Sequence, residues 1–250
     1  DYMMKPVELA DLAAALERAL HKRHLAIEQR KVERLIREEV AAQTDELRAE
    51  RENLHLMVIA TVSALVRAQE AKDPYLRGHS DRVSDLAASI ASALGMSDDD
   101  VDALRLAGRV MDVGKIGLRE SVMHKPAALT PEEFEHVKSH VTIGLEILSG
   151  IKPLAHILPW IADHHEHWDG KGYPKGLAGE DISIGGRILA AADAYHALTA
   201  RRSYREPMSQ EDALKHLEGL AGVLLEPAVF AALRKVVSRR QTLQFLDPTT

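Results

Sequence analysis

The chain has 250 residues, of which 46% are hydrophobic and only 4% aromatic, and its formal net charge is −6. This composition allows an aliphatic core and favours helices, and no basic tract is long enough to indicate a duplex nucleic acid as ligand. The sequence contains no cysteine, which excludes disulfides, thiolate zinc sites and cysteine nucleophiles. No apolar segment reaches membrane-spanning length and no signal peptide is visible, so the sequence predicts a cytoplasmic protein.

The first residues predict the end of a strand, a turn and the start of a helix. Lys5 precedes Pro6 at the turn, and this pattern resembles the end of a response-regulator receiver domain, in which such a lysine contacts a phosphoryl group. An ordinary strand–turn–helix is the alternative, because short motifs also match by chance. The chain starts at Asp1 without an initiator methionine. We therefore expect it to be part of a longer protein, with residues 1–20 as a receiver-domain remnant and a sensor kinase upstream.

A helical pattern runs from Leu9 to about Glu70 without a proline or glycine. Apolar residues recur at seven-residue spacing, as at Val40, Leu47 and Leu54. A helix of this length cannot bury its apolar face against a small domain, so residues 21–57 predict a coiled-coil linker that pairs with a second copy in a homodimer. A solvated single helix or a bent pair of helices is the alternative, because the heptads are imperfect.

The rest of the chain predicts a bundle of helices over residues 58–240 and a short tail at 241–250. Ser97, followed by three aspartates, and Thr130, followed by Pro131 and two glutamates, are signals for the start of a helix. The predicted helices are Ser80–Leu94, Ser97–Val110, Thr130–Leu148, Pro153–His167, Ser183–Thr199, Gln210–Leu217 and Pro227–Val237. No alternating pattern of useful strand length occurs, so the predicted fold class is all-α.

Residues that could bind metal ions recur at the ends and breaks of these helices. The densest stretch is His164-His165-Glu166-His167-Trp168-Asp169-Gly170-Lys171-Gly172-Tyr173-Pro174. Adjacent imidazoles beside carboxylates suit a metal centre that acts on phosphate or water. The other candidates are His79, Asp112, His140 and Asp193. Taken singly, these are also explained as a helix-start histidine, a turn acid, a surface histidine and a buried acid, although burying an acid in an alanine-rich helix is costly without a partner.

The order of these motifs resembles the HD superfamily of metal-dependent phosphohydrolases, and within it the HD-GYP subfamily. The resemblance covers roughly Val58 to Val237. The matching motifs are Gly78-His79-Ser80, Asp112-Val113-Gly114-Lys115, Thr130-Pro131-Glu132-Glu133-Phe134, His140, His164-His165, Gly172-Tyr173-Pro174, Ala192-Asp193 and Arg202-Ser203-Tyr204-Arg205. Members of the subfamily hydrolyse cyclic di-GMP with two or three metal ions, often iron or manganese, and many carry a receiver domain.

The resemblance implies a role for each matching position. The positions that match metal ligands are His79, Asp112, His140, His164, His165 and Asp193. Asp112 would bridge two ions, and Lys115 would act with it in catalysis by holding the phosphate. The positions that match substrate contacts are Lys115, Gly172, Tyr173, Pro174, Arg202, Arg205 and Asp73. Guanidinium groups suit phosphate through bidentate geometry, and the Gly-Tyr-Pro loop is also implied to bind a signalling-protein partner. Asp73 reads equally well as a helix-end acid before Pro74.

Two positions depart from the family pattern. Met111 stands where the family has the histidine of its His-Asp pair, and a thioether is a poor ligand for hard or borderline divalent ions. The ion beside it keeps His79, Asp112 and Asp193. The other ion keeps Asp112, His140, His164 and His165. We therefore expect one ion to bind well and the second weakly, with slow or absent hydrolysis. Tyr75 stands where three-metal members have a glutamate, so at most two ions are expected.

Two functions of different classes follow from the resemblance. The first is an enzyme, the phosphodiesterase output domain of a two-component response regulator, which would hydrolyse cyclic di-GMP to pGpG and GMP with one or two divalent ions, iron or manganese, and with activity weakened by Met111. The second is a module that binds cyclic di-GMP or a protein partner without hydrolysis. Another HD-type activity, such as nucleotide dephosphorylation, is disfavoured by the intact Gly-Tyr-Pro motif.

Overall fold

The structure, a computed structural model, describes residues 9–71, 78–123, 125, 127–201 and 206–246. In these ranges the regular structure is helical and includes no strand, apart from one isolated bridge between Ala221 and Leu225. The predicted all-α fold is therefore confirmed. Several predicted positions lie outside the described residues, namely Lys5, Asp73, Tyr75, Arg202 and Arg205.

The chain divides into two compact units, residues 1–57 and 58–250. In the first unit the described residues belong to helix α1 (Leu9–Glu70), which continues into the second unit. Within the first unit many apolar side chains are exposed, among them Leu16, Val40, Leu47 and Leu54. Exposed apolar side chains on a long helix are typical of a helix that pairs with another, although the pairing itself stays a prediction.

The second unit packs its helices around one aliphatic core. These helices are α2 (His79–Ala93), α3 (Asp98–Val110), α4 (Glu120–Met123), α5 (Pro131–Ser149), α6 (Leu158–Asp163), α7 (Ile184–Thr199), α8 (Gln210–Glu218) and α9 (Pro227–Leu246). The core includes Val62 and Val66 from the end of α1 together with Ile90, Leu104 and Ile188, and all five are less than 6% exposed. The core therefore joins the last turns of α1 to the helices that carry the candidate ligands.

Local sequence signals explain how the site-bearing helices begin. Thr130 accepts a hydrogen bond from the Glu133 N–H, and the Glu133 carboxylate accepts one from the Thr130 N–H, so the predicted capping box of α5 is formed. Ser97 caps α3 by accepting from the Asp100 N–H. The helix predicted at Pro153–His167 is wrong, since the chain forms a 3-10 turn at Lys152–Leu154 and then the short helix α6. Pro159 has no N–H for a helix interior and instead occupies the first turn of α6.

Other elements differ from the predictions at their ends. Between α3 and α4 the chain forms a 3-10 helix, Val113–Gly117, and the four residues of α4 carry too little periodicity to be predicted from the sequence. Helix α9 continues to Leu246 instead of ending near Val237. Among the helices that the structure describes, none combines the length and apolar character needed to cross a membrane.

Candidate metal centre

Four predicted ligands meet at one point in the second unit. Asp112 follows α3 and begins the 3-10 helix, His140 lies in the middle of α5, and His164 and His165 follow α6. Each offers one ligand atom, and these atoms all lie within 4.8 Å of one another. Two ligand atoms on one ion are typically separated by up to about 4 Å, twice a metal–nitrogen distance. A small contraction would therefore place all four around a single divalent ion.

The hydrogen bonds of two of these histidines prepare them for metal binding. The Nδ1 atom of His140 lies 2.6 Å from the Val137 carbonyl oxygen, and the Nδ1 atom of His164 lies 2.6 Å from the Ile161 carbonyl oxygen. A carbonyl only accepts, so each Nδ1 carries the proton and each Nε2 keeps its lone pair. Both Nε2 atoms are buried without a hydrogen-bond partner. Buried nitrogens of this kind fit a metal ion, because an unpaired buried polar atom is otherwise costly.

The charges in this cluster also favour a cation. Burial lowers the pKa of His140 to about 4, against an opposing effect of Asp112. Burial likewise lowers the pKa of His164, and it lowers the pKa of His165 well below its usual value, with the neighbouring imidazoles contributing. For Asp112, burial acts to raise the pKa, but Lys115 and the surrounding histidines outweigh it and hold the pKa well below its usual value. The cluster is thus a carboxylate among neutral imidazoles, the protonation states that ligands need.

Two glycines allow the backbone to close around the cluster. A Cβ on Gly114 would lie 1.9 Å from the His140 carbonyl oxygen and 2.4 Å from the Gly144 nitrogen, so only glycine lets the 3-10 helix approach α5. A Cβ on Gly172 would lie 2.3 Å from the His167 nitrogen and 2.5 Å from the His165 carbonyl oxygen. The glycine of the Gly-Tyr-Pro motif therefore permits the loop to fold back against the histidine pair.

The other two predicted ligands lie next to one another, with His79 near Asp112 Oδ2, whereas His140 lies near Asp112 Oδ1. His79 begins α2, and its Nε2 atom lies 3.3 Å from Asp112 Oδ2 and 3.5 Å from Asp193 Oδ1. His79 and Asp193 are not part of the four-atom group that satisfies the mutual 4.8 Å limit. Met111, at the position of the missing histidine, is 1% exposed and belongs to the hydrophobic core. His79 thus lies beside Asp112 and Asp193 beside His79, but only the other four of the six predicted ligands converge.

Two residues that the sequence analysis missed contact His79. His196 Nδ1 lies 2.8 Å from His79 Nδ1, and the Arg82 Nε–H donates to His196 Nε2 at 2.7 Å. His196 is 8% exposed. It lies three residues after Asp193 on α7, and residues at that spacing share a helix face. That spacing was the available signal, since a histidine one turn from a predicted ligand faces the same site.

The last turn of α1 also reaches the centre. The Glu70 carboxylate, 8% exposed, accepts from the Gly78 and Ser80 N–H groups at 2.8 Å each, and so caps the helix that begins with His79. The Gln69 side chain donates to the Asp112 carbonyl oxygen at 3.3 Å. Neither contact was predicted, because both pair residues from different helices.

The predicted substrate-side residues border the same centre where the structure describes them. Lys115 Nζ lies 2.7 Å from Asp112 Oδ2. The Tyr173 ring stacks on His165 with centroids 4.8 Å apart, and burial raises the Tyr173 pKa. The Lys138 ammonium lies over the rings of Tyr173 and Phe134, at 5.6 and 4.9 Å from their centroids. The Gly-Tyr-Pro loop therefore covers His165 with an aromatic ring.

Comparisons with known proteins agree with this geometry. The HD domain family matches residues 64–229, which is more than half of the chain. A cyclic di-GMP phosphodiesterase from Thermotoga maritima is 35% identical over 94% of this chain and 65% of its own length. The cyclic di-GMP phosphodiesterase response regulator RpfG from Xanthomonas campestris is 34% identical over 93% of this chain and 60% of its own length. A 3'3'-cGAMP-specific phosphodiesterase from Vibrio cholerae is 37% identical over 71% of this chain and 38% of its length. The chain thus spans less than two thirds of the length of each of these relatives.

Proposed function

Since the chain belongs to the HD-domain family, we propose that it is a metal-dependent phosphodiesterase domain that hydrolyses cyclic di-GMP to pGpG and GMP, at a rate reduced by Met111. Two relatives that match 94% and 93% of the chain carry the name of this activity. The resemblance to HD-GYP proteins, predicted from the motif order, is confirmed at the level of the family.

The observation that carries the proposal is the convergence of Asp112, His140, His164 and His165 within 4.8 Å. A divalent ion held there, iron or manganese, would activate water and polarise a phosphate oxygen. Asp112 and the three imidazoles would hold the ion without further proton loss, because the carboxylate is ionised and the rings are neutral. His79 and Asp193 are the proposed ligands of a weaker second ion.

Lys115 is proposed to bind the substrate phosphate. Its ammonium group pairs with Asp112 at 2.7 Å, and an incoming phosphate would draw the same ammonium toward itself because both partners are anions. The Tyr173 ring with Gly172 and Pro174 is proposed to contact the nucleotide from the opposite side. Arg202, Arg205 and Asp73 are proposed as further substrate contacts.

The direct test is an assay of product formation. Purified protein with Mn(II) or Fe(II) is incubated with cyclic di-GMP, and the nucleotides are separated by chromatography. We expect pGpG and GMP, their loss with a chelator, and their loss in His164→Gln and Lys115→Ala, whereas Lys152→Ala at the exposed surface retains the wild-type rate. Metal-loaded protein that forms neither product would overturn the proposal.

A second candidate function is supported by the burial of Met111. This side chain is 1% exposed in the apolar core, so the position offers no ligand to a second ion. Without that ion the domain would bind cyclic di-GMP, or a signalling protein at the Gly-Tyr-Pro loop, and leave the dinucleotide intact. Calorimetry separates the two functions, since saturable binding of cyclic di-GMP without any product favours the binding module over the enzyme.

The base composition of the substrate is the finer part of the proposal. Cyclic di-GMP is preferred because the two relatives named for it match nearly the whole chain, whereas the 3'3'-cGAMP-specific relative matches 71%. Parallel assays of the two dinucleotides test this choice. A kcat/KM larger for cyclic di-GMP supports it, and the reverse order assigns the domain to the second substrate.

The surrounding assembly is also proposed. We infer a cytoplasmic response regulator in which a sensor kinase controls the domain, and in which α1 forms a homodimer through exposed residues such as Leu47 and Leu54. Sedimentation of the whole chain tests the dimer. We expect a dimer for the wild type and a monomer for Leu47→Lys/Leu54→Lys, and a wild-type chain that stays monomeric at every concentration contradicts it.

A further inference from the structure

The ring of His79 is held by a chain of hydrogen bonds that begins outside the metal centre. Arg82 and His79 both lie on α2, and His196 lies on α7. His196 Nε2 accepts from the Arg82 guanidinium at 2.7 Å, and His196 Nδ1 lies 2.8 Å from His79 Nδ1. The His79 and His196 rings meet edge to face with centroids 4.8 Å apart. Three side chains are thus connected in series, ending at a predicted metal ligand.

The direction of each hydrogen bond in this chain is fixed by its first member. Arginine carries only donors, so His196 Nε2 must supply a lone pair. An imidazole whose Nε2 is bare carries its proton on Nδ1, so His196 Nδ1 is the donor to His79. His79 Nδ1 is therefore the acceptor, and the single proton of a neutral His79 lies on Nε2. This is the nitrogen that faces Asp112 and Asp193.

The proton of His79 thus lies on the other ring nitrogen from the protons of His140 and His164. Those rings donate hydrogen bonds from Nδ1–H to the carbonyl oxygens of Val137 and Ile161 and keep a lone pair on Nε2. The His79 Nε2 atom is also buried without a hydrogen-bond partner, but the series of hydrogen bonds places the ring proton on it, 3.3 Å from Asp112 Oδ2 and 3.5 Å from Asp193 Oδ1. A metal ion binds only to a ring nitrogen that has a lone pair. The hydrogen-bond partner of Nδ1 decides whether Nε2 carries that lone pair or a proton.

We propose that Arg82 and His196 are positioning residues that keep the proton of His79 on Nε2, the nitrogen that faces Asp112 and Asp193, so that this half of the centre resists a second metal ion independently of Met111. Binding an ion at His79 Nε2 would move its proton to Nδ1, reverse the bond to His196 and set the His196 Nε2–H against the Arg82 donor. Replacing Met111 with histidine therefore leaves the protein with one ion. The proposal rests on the proposed metal-dependent function only for the choice of metal. Which nitrogen of His79 carries the proton is measurable without any metal.

Two substitutions reverse the chain of hydrogen bonds. In His196→Asp the carboxylate only accepts, so the proton of His79 moves to Nδ1, donates a hydrogen bond to that carboxylate and leaves the lone pair on Nε2. In Arg82→Met the guanidinium donor to His196 Nε2 is removed, so that nitrogen no longer has to supply a lone pair to Arg82. The matched controls are His156→Asp and Arg234→Met, which make the same changes at exposed positions outside the centre.

The first measurement is the ring state in metal-free protein. Long-range proton–nitrogen spectra of histidine-labelled protein distinguish a ring protonated on Nε2 from one protonated on Nδ1, and His79→Gln identifies the signals. We expect the Nε2–H form of His79 in the wild type and in both controls, and the Nδ1–H form in His196→Asp and Arg82→Met. A wild-type His79 protonated on Nδ1 overturns the proposal, whether or not the protein is an active phosphodiesterase.

The second measurement counts bound ions after loading with Mn(II) and desalting. We expect about one ion per chain in the wild type and in Met111→His, and about two in Met111→His/His196→Asp and in Met111→His/Arg82→Met. Two ions in Met111→His alone overturn the proposal, because Met111 would then be the sole obstacle. One ion in both double variants also overturns it. Arg82→Met keeps the test available if His196→Asp does not fold.

Discussion

The two sides of Asp112 carry histidines with different hydrogen-bond partners. On one side His140 and His164 donate from Nδ1 to backbone carbonyl oxygens at 2.6 Å, and their Nε2 atoms are buried and unpaired. On the other side the His79 Nε2 atom is buried and unpaired as well, but its Nδ1 atom faces a second histidine, which is itself held by an arginine. A backbone carbonyl can only accept, whereas a histidine can donate or accept. The comparison teaches that a ligand position can keep its residue and still change its capacity to bind metal through the residue behind it.

The largest loss of Mn(II) affinity is expected on substitution of Asp112, which lies between the two groups of histidines. Asp112 is the one residue of the described centre close to both His79 Nε2, at 3.3 Å, and His140 Nε2, at 3.6 Å. In Asp112→Asn the anion is lost, and Mn(II) affinity should fall by well over 100-fold, since even residues behind the ligands change affinity by about 10- to 100-fold. Calorimetric titration measures this, with Asp99→Asn on the exposed face of α3 as the control. An affinity within tenfold of the wild type would show that Asp112 is not a ligand.

A paired substitution separates the two sides. His164→Gln removes a ring whose lone pair points into the four-residue cluster, and we expect a loss of about 100-fold in Mn(II) affinity. His79→Gln removes a ring whose proton lies on the nitrogen that faces the carboxylates, and the affinity for the first ion should change by less than threefold. Both variants are measured by the same titration. Equal losses of Mn(II) affinity in the two variants would show that the histidines on the two sides of Asp112 do not differ in metal binding.

The pH dependence of stability tests the burial of His140. Its pKa is lowered from 6.5 to about 4 by burial, so in metal-free protein the folded state stays neutral while the unfolded state gains a proton below pH 6.5. Stability is therefore complete above pH 6.5 and decreases as the pH falls toward 4, by on the order of 3 kcal/mol. Urea unfolding across this range measures the decrease. His140→Gln should reduce the slope, and the exposed control His156→Gln should leave it unchanged.

The smallest expected effect concerns the backbone beneath the cluster. In Gly114→Ala the new methyl group would meet the His140 carbonyl oxygen at 1.9 Å, and overpacking of this kind costs about 2 kcal/mol. In Gly117→Ala the nearest atom is the end of the Ile143 side chain at 2.9 Å, which can move, so a cost below about 1 kcal/mol is expected. Urea unfolding compares the two. A Gly114→Ala variant as stable as Gly117→Ala would mean that the close approach to α5 does not hold the cluster together.

The sequence predicted most of this centre because its motifs are local. The capping box of α5, the His164-His165 pair and the glycine of the Gly-Tyr-Pro loop each depend on residues within a few positions of one another. The role of His79 depends on His196, which is 117 residues away, and on the direction of hydrogen bonds that a spacing pattern does not contain. The short helix α6 was likewise mispredicted, since apolar residues alone did not mark its start at Leu158 beside Pro159.

The most direct test of the asymmetric centre is the number of Mn(II) ions retained by the wild-type chain after loading and desalting, measured by elemental analysis. The account predicts about one ion per chain, lost in His164→Gln and retained in His79→Gln. Two retained ions in the wild type, or a single ion lost on substitution of His79 and kept on substitution of His164, would contradict it.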